Sequence, residues 1–251
     1  MENLTLNNIK IDAFNSDSVR IFIRKILIEK KNQHFITFNL DFLYNSFLNS
    51  DFQHICKNAD YTSADGFGIT SLIYLKYKNR IPRITGNDLF VIILEILNEI
   101  SGSVALVGSN AEVQSKIKNK ILKNYLNVKI AYSATPSYKF EEDIAENISL
   151  LNVLKKANPD VLFLSLGSPR QEYWLNRYLK ETDIKIGMGI GAVFDFYSGA
   201  KKRSPVFIQK IGLEWFWRFC TEPKRLFKRY FLQDLPLYLK LSFYAILGKN
   251  I

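Results

Sequence analysis

The chain has 251 residues, of which 47% are hydrophobic and 23% charged. That suits one large folded domain or a domain with an appendage, and excludes a disordered or fibrous chain. The net charge of +10 is uneven, with 23 Lys/Arg against 21 Asp/Glu in residues 1–200 and 11 against 3 in residues 201–251. Cys56 and Cys220 form no CxxC pair, and with His34 and His54 they cannot complete an ordinary zinc site, so a reducing, cytosolic setting is expected. The opening "MENLTLNNIKIDAF" lacks the basic and apolar regions of a signal peptide. The longest apolar stretch, "LFVIILEILNEI", is interrupted by Glu95 and Glu99, so no spanning helix is expected.

In chain order, "HFITFN" (34–39) reads as a buried strand and "LDFLYNSFLNS" as a helix. "YTSADGFGIT" (61–70) is a glycine-rich bend that sets Asp65 beside Gly66 and opens a helix at "ITSLIYLKY". The helix "NDLFVIILEILNEI" then leads to the strand "SVALVG" (103–108) and the helix "NAEVQSKIKNKILKNYL". The strand "NVKIAY" (127–132) and the helix "EEDIAENISLLNVLKKANP" come next. "VLFLSLG" (161–167), "SPRQEYWLNRYLKE" and "IKIGMGIG" (184–191) follow as strand, helix and strand. This alternation predicts an α/β fold, a Rossmann-like three-layer α/β/α arrangement around a mostly parallel sheet. Near residue 196 the pattern changes to helix-like segments broken by Pro205, Pro223 and Pro236. The expected division is a catalytic core at 1–195 and a basic, aromatic-rich appendage at 196–251.

Open α/β sheets bind ligands beyond the carboxyl ends of their strands. There the sequence sets Thr37 and Asn39, then Gly108, Ser109 and Asn110, then Gly167 and Ser168, then Gly189 and Gly191. Small residues admit a ligand to the backbone, and adjacent helix N-termini offer N–H groups to phosphate, although any one of these glycines can be only a turn. Asp65 has two readings that can coexist: a turn or N-cap aspartate, or a carboxylate presented to a pocket. Residues 201–251 mix 11 aromatics with their excess charge, which suits an anionic and greasy surface; nucleic acid is the rival partner.

The stretches "ITFNLDFLYNS", "ADGFGI", "PRITGNDLF", "VALVGSN", "LSLGSPRQEYWL", "GIGAVFDFYSG" and "RSPVFIQKIGLEWFWRFCTEPKRLFKRY" occur in the order found in the WecG/TagA/CpsF family of bacterial glycosyltransferases, which the chain resembles over roughly residues 35–231. It departs from the family pattern at Phe38, where Pro is frequent, and at Ser204, where Ala is more usual. The resemblance implies inverting, metal-independent and cofactor-free transfer from a nucleotide-sugar, commonly a UDP-sugar, to a polyprenyl-diphosphate-linked sugar. It places the enzyme as a peripheral protein on the inner face of the cytoplasmic membrane, and leaves a homo-oligomer open without any seam to mark one.

By analogy with the family, Asp65 is the base that takes the acceptor's proton. The chain has no Asp-x-Asp, so the leaving diphosphate must be met by cations and N–H groups, with Arg83 and Arg203 as candidates. A plain surface charge or a partner for Asp88 is the bland reading of Arg83. Gln171 suits sugar hydroxyls, or is an ordinary first-turn residue. Thr37 and Asn39 share a face at a strand end, as substrate contacts or strand terminators. Gly108, Ser109, Asn110, Gly167, Ser168, Gly189, Gly191 and Asp195 are the expected donor-binding set. Arg225 and Arg229, four apart, share a helix face that Arg218 joins if the Pro223 turn allows; together with Arg203 they suit an acceptor diphosphate and the membrane. Two alternatives stand beside this. "GMGIGA" (187–192) fits a weak dinucleotide fingerprint and so an NAD(P)-dependent oxidoreductase. A basic nucleic-acid-binding module would instead leave the buried α/β core unexplained.

Overall fold

The computed structural model describes residues 4–29, 32–249 and 251. It opens with a hairpin: β1 (Thr5–Leu6) and β2 (Ile9–Lys10) pair antiparallel across Asn7 and Asn8, both at positive φ, a conformation that Asn tolerates in two-residue turns. There follow α1 (Ser16–Glu29), β3 (Gln33–Phe38), α2 (Leu40–Leu48), α3 (Ser50–Lys57), β4 (Tyr61–Ala64), α4 (Phe67–Tyr77) and α5 (Gly86–Glu99). Next come β5 (Ser103–Gly108), α6 (Ala111–Asn124), β6 (Lys129–Ala134), α7 (Ile144–Ala157), β7 (Val161–Ser165), α8 (Arg170–Tyr178), β8 (Ile186–Gly189) and α9 (Val193–Ser198). The six strands β3–β8 form one parallel sheet in the order β4-β3-β8-β7-β5-β6.

Strand side chains alternate between two buried faces. Phe35, Leu106, Phe163 and Met188 join the apolar sides of α1, α5, α6 and α9. On the other face Ile36 and Phe38 meet α2, α3 and α4, while Val107 and Leu164 meet α7 and α8. Each such side chain contributes about 1.5–3 kcal/mol when fully buried. Helices on both faces of a parallel sheet make the three-layer α/β/α arrangement expected from the alternation. The helix read from "LDFLYNSFLNS" is two, because Asn49 ends α2 and its side chain caps α3 by accepting from the Phe52 N–H. β4 and α1 are additions to the elements read from periodicity, and β6 sits two residues later than "NVKIAY".

Beyond α9, which runs across residue 196, the chain is helical: α10 (Val206–Lys210), α11 (Glu214–Thr221), α12 (Pro223–Phe227), a π-helical stretch Lys228–Asp234, and α13 (Leu235–Ile246). The prolines do not break these helices but begin them. Pro205 is the N-cap of α10, Pro223 opens α12, and Pro236 lies in the first turn of α13, where a missing N–H costs nothing. α13 returns to the core and packs Leu241 and Ala245 with Ile69, Leu72 and Ile73 of α4. Among the described residues no helix is long and apolar enough to cross a membrane.

Candidate active site

A cavity of about 500 Å³ lies beyond the carboxyl ends of β3 and β4, between core and appendage. Asn39, Asp65, Gly66, Arg83 and Thr85 line it from the core; Glu214, Trp215 and Arg218 of α11 and Arg229, Tyr230 and Asp234 of the π-helical stretch line it from the appendage.

Asp65 is set by the sheet. Its N–H donates to the Phe38 carbonyl at 2.8 Å, one step past the β3–β4 register. The next residue must be glycine: Gly66 has φ 98° and ψ 155°, a region closed to residues with a Cβ. Gly66, not Asp65, is the N-cap of α4, and no side chain caps that helix. The half-buried Asp65 carboxylate accepts no hydrogen bond from another described residue. Burial pushes its pKa up to about 7; Glu214 and Asp88 add to the rise, and Arg83 and Arg218 oppose it.

The arginines around it differ in what they hold. Arg83 Nη1 lies 3.3 Å from Glu214 Oε2. Arg203 Nε lies 3.3 Å from Glu214 Oε1, and its Nη2 lies 3.5 Å from Asp88 and 3.4 Å from the Thr85 hydroxyl. The partner of Asp88 is therefore Arg203 rather than Arg83. Arg218 lies over the Phe196 ring at 5.7 Å and pairs with no carboxylate among the described residues. Arg229 stands between Asp41 at 3.3 Å and Asp234 at 3.4 Å. Asp234 is buried, its other oxygen has no partner, and burial pushes its pKa up to about 6 against the pull of Arg229. Arg225 pairs with Glu222 in the open, away from the cavity. Arg229, four residues on, lines the cavity, whereas Arg225 does not.

A second polar group ties together the loops after β7 and β8. Gln171 Oε1 accepts from the N–H of Gly167 (3.2 Å) and of Gly191 (3.1 Å), and its Nε2 donates to Glu172 Oε1 (2.7 Å). Both side chains are buried, and neither lines the cavity. Gly189 lies against them: a Cβ there would fall 2.6 Å from both Gln171 Nε2 and Glu172 Oε1. Burial pushes the Glu172 pKa up to about 7, against the pull of Gln171 and of the nearby Ser168 hydroxyl. Nearby, Ser109, after Gly108, donates to Asp195 at 3.3 Å, and Lys201 meets Asp195 at 3.2 Å. Asn110 caps α6, and Asn39 caps α2 by accepting from the Phe42 N–H while also lining the cavity. Thr37 is buried near the end of β3, in register with Ser63.

Glu214 and Asp234 are cavity residues that the sequence reading missed. Their signal was available: they are two of only three acids in residues 201–251. The third, Glu222, pairs with Lys201 and Arg225. Among the described residues no group of three or more His, Cys, Asp or Glu side chains is arranged to hold a metal ion.

The model of the glycosyl transferase WecG/TagA/CpsF family matches residues 4–250. A relative from Bacillus subtilis (strain 168), named N-acetylglucosaminyldiphosphoundecaprenol N-acetyl-beta-D-mannosaminyltransferase, is 28% identical over 226 residues, 90% of this chain and 86% of its own length. Proteins of the same name from Bacillus spizizenii (strain ATCC 23059 / NRRL B-14472 / W23) and Staphylococcus aureus (strain MRSA252) are 27% and 25% identical. They cover 79% and 83% of this chain and 75% and 78% of their own lengths. The chain belongs to the WecG/TagA/CpsF family and is a glycosyltransferase.

Proposed function

We propose that the protein moves an N-acetylmannosamine-type or related hexose from a UDP-sugar to a polyprenyl-diphosphate-linked sugar, with inversion and without a metal ion, in the building of a cell-surface polysaccharide or teichoic acid. One observation carries the reading: a carboxylate that accepts no hydrogen bond from the described residues, with its pKa pushed up to about 7, faces a cavity that it shares with arginines from two parts of the chain. A general base works best when its pKa lies near the working pH. Asp65 takes the proton of the acceptor hydroxyl while that oxygen attacks the anomeric carbon. The bond from that carbon to the donor phosphate breaks on the opposite side, and the proton stays on Asp65.

The departing nucleoside diphosphate gains negative charge, which Arg83 and Arg203 meet. The loops carrying Ser109, Asn110, Gly167, Ser168 and Gly191, joined by Gln171 and bordered by Asp195, receive the donor. Arg218 faces the acceptor's diphosphate, a choice of acceptor that follows the relatives' names. Outside the cavity, Phe207, Phe216, Phe227 and Leu232 are exposed together with Lys224, Arg225 and Lys228, a composition suited to the anionic inner face of the cytoplasmic membrane.

The test is an assay with UDP-N-acetylmannosamine and a lipid-linked N-acetylglucosamine acceptor, run in excess chelator, with the product linkage read by NMR. Transfer that persists and gives the inverted anomer is expected. Loss of activity that Mg²⁺ restores, or retention of configuration, would overturn the mechanism.

A further inference from the structure

Glu214 occupies the two guanidiniums on which the leaving group would depend. Its Oε2 is 3.3 Å from Arg83 Nη1 and its Oε1 is 3.3 Å from Arg203 Nε. Arg83 belongs to the core loop before α5, whereas Arg203 and Glu214 belong to the appendage, so one carboxylate joins the two halves of the cavity. Two oxygens bridging two guanidiniums reproduce the charge and the spacing that a phosphate offers. Each guanidinium meets Glu214 through a single N–H at 3.3 Å rather than through a bidentate fork, which leaves further donors on both for a phosphate. The Glu214 side chain is only 15% exposed, and it opens α11, the helix that also carries Arg218 four residues on. Residues four apart share a helix face, so Glu214 and Arg218 line the same wall of the cavity.

We propose that Glu214 is a placeholder for the donor's diphosphate: it holds Arg83 and Arg203 in position before the donor binds, and yields them to the incoming phosphates, shifting α11 as it leaves. The proposal rests on the nucleotide-sugar reading given above. It makes Glu214 a positioning residue that acts through the two arginines. It also gives Glu214 a second effect, on Asp65. The charged groups facing Asp65 are Glu214 and Arg218 of α11, Arg83 of the preceding loop and Asp88 of α5, with Arg229 and Asp234 across the same cavity. Of the two acids that push the Asp65 pKa upward, Glu214 has the larger influence.

UDP is titrated by calorimetry into the full chain and into Glu214→Gln, which keeps the side-chain shape and removes the charge. Removal of the competing carboxylate is expected to tighten UDP binding about fivefold. Equal or weaker binding by a variant with an unchanged melting temperature overturns the placeholder. A wild-type protein that binds no UDP at all would instead sink the donor reading. Because the variant may fold poorly, the unaltered protein supplies an independent measure. Trp215 and Trp217 both lie on α11, and UDP is expected to change the tryptophan emission of the wild type but not of the Trp215→Phe, Trp217→Phe double variant. Calorimetric binding with silent fluorescence counts against the shift of α11. Finally, the acid limb of kcat/KM in Glu214→Gln moves to lower pH, since a like charge beside Asp65 is gone. A merely structural change would lower the profile without moving that limb.

Discussion

The two polar groups at the carboxyl edge of the sheet are built in opposite ways. After β7 and β8, Gln171 satisfies two backbone N–H groups and donates to Glu172, and Ser109 donates to Asp195. These side chains mostly answer one another and hold loops in place. After β3 and β4, among the described residues, Asp65 accepts no hydrogen bond and Arg218 pairs with no carboxylate. Burial without compensation costs free energy, and such cost concentrates where chemistry is done. Both edges carry a carboxyl group raised to about 7, so a shifted pKa does not separate them. The separation comes from access, because Asp65 faces the cavity and Glu172 is sealed.

The strongest way to break this contrast is Asp65→Asn. It should lower transfer about 10²–10⁴-fold, the range for a general base, while the melting temperature at pH 8 holds or rises, because the burial cost of a charged carboxyl is gone. Near-normal turnover would remove Asp65 from the chemistry. Arg218→Ala should lower kcat/KM about 10²-fold with little effect on folding, as expected for a single charge-stabilising donor. Gln171→Ala tests the other edge. Two buried N–H groups lose their acceptor, so stability should fall by about 1–3 kcal/mol in denaturant titration. A loss of activity with no loss of stability would place Gln171 with the chemistry instead.

The smallest effect concerns Glu172, whose pKa rises from an ordinary 4.5 to about 7 on folding. Between those values the folded chain holds a proton that the unfolded chain has released, so stability declines as pH rises through that window. Glu172→Gln has no such decline. Its advantage over the wild type should be absent at pH 4 and reach about 1–3 kcal/mol at pH 8 in melting experiments.

Much of the sheet was legible because β3, β5, β7 and β8 are short apolar runs closed by small residues. β4 was not, because "YTSA" owes its burial to neighbours: Asp12 bridges to Ser63 along its outer side, and Phe14 stacks on Tyr61. Gly66 and Gly68 mark a bend beside Asp65, a local feature that drew attention to it, but its role as base came from the family resemblance and not from the spacing. The engagement of Gln171 has no such local mark, since one of its partners is twenty residues away, at Gly191. Glu214 was hidden for a similar reason. Its meaning depends on the appendage folding back over Arg83, and nothing in the spacing of "GLEWFWR" fixes that approach.

The position of β8 has a consequence for how the protein is made. Its Ile186–Met188 pair with Gln33–Phe35 on one side, and its Ile186–Gly189 with Val161–Leu164 on the other. It is the last strand to leave the ribosome, yet it alone joins β4-β3 to β7-β5-β6. Until residue 189 is synthesised, the nascent chain holds two half-sheets, each with a bare inner edge open to pairing with another molecule. Closure of the core therefore waits until β8 (Ile186–Gly189) has been made, and a chain stopped just before β8 should accumulate as aggregate rather than as a smaller folded unit.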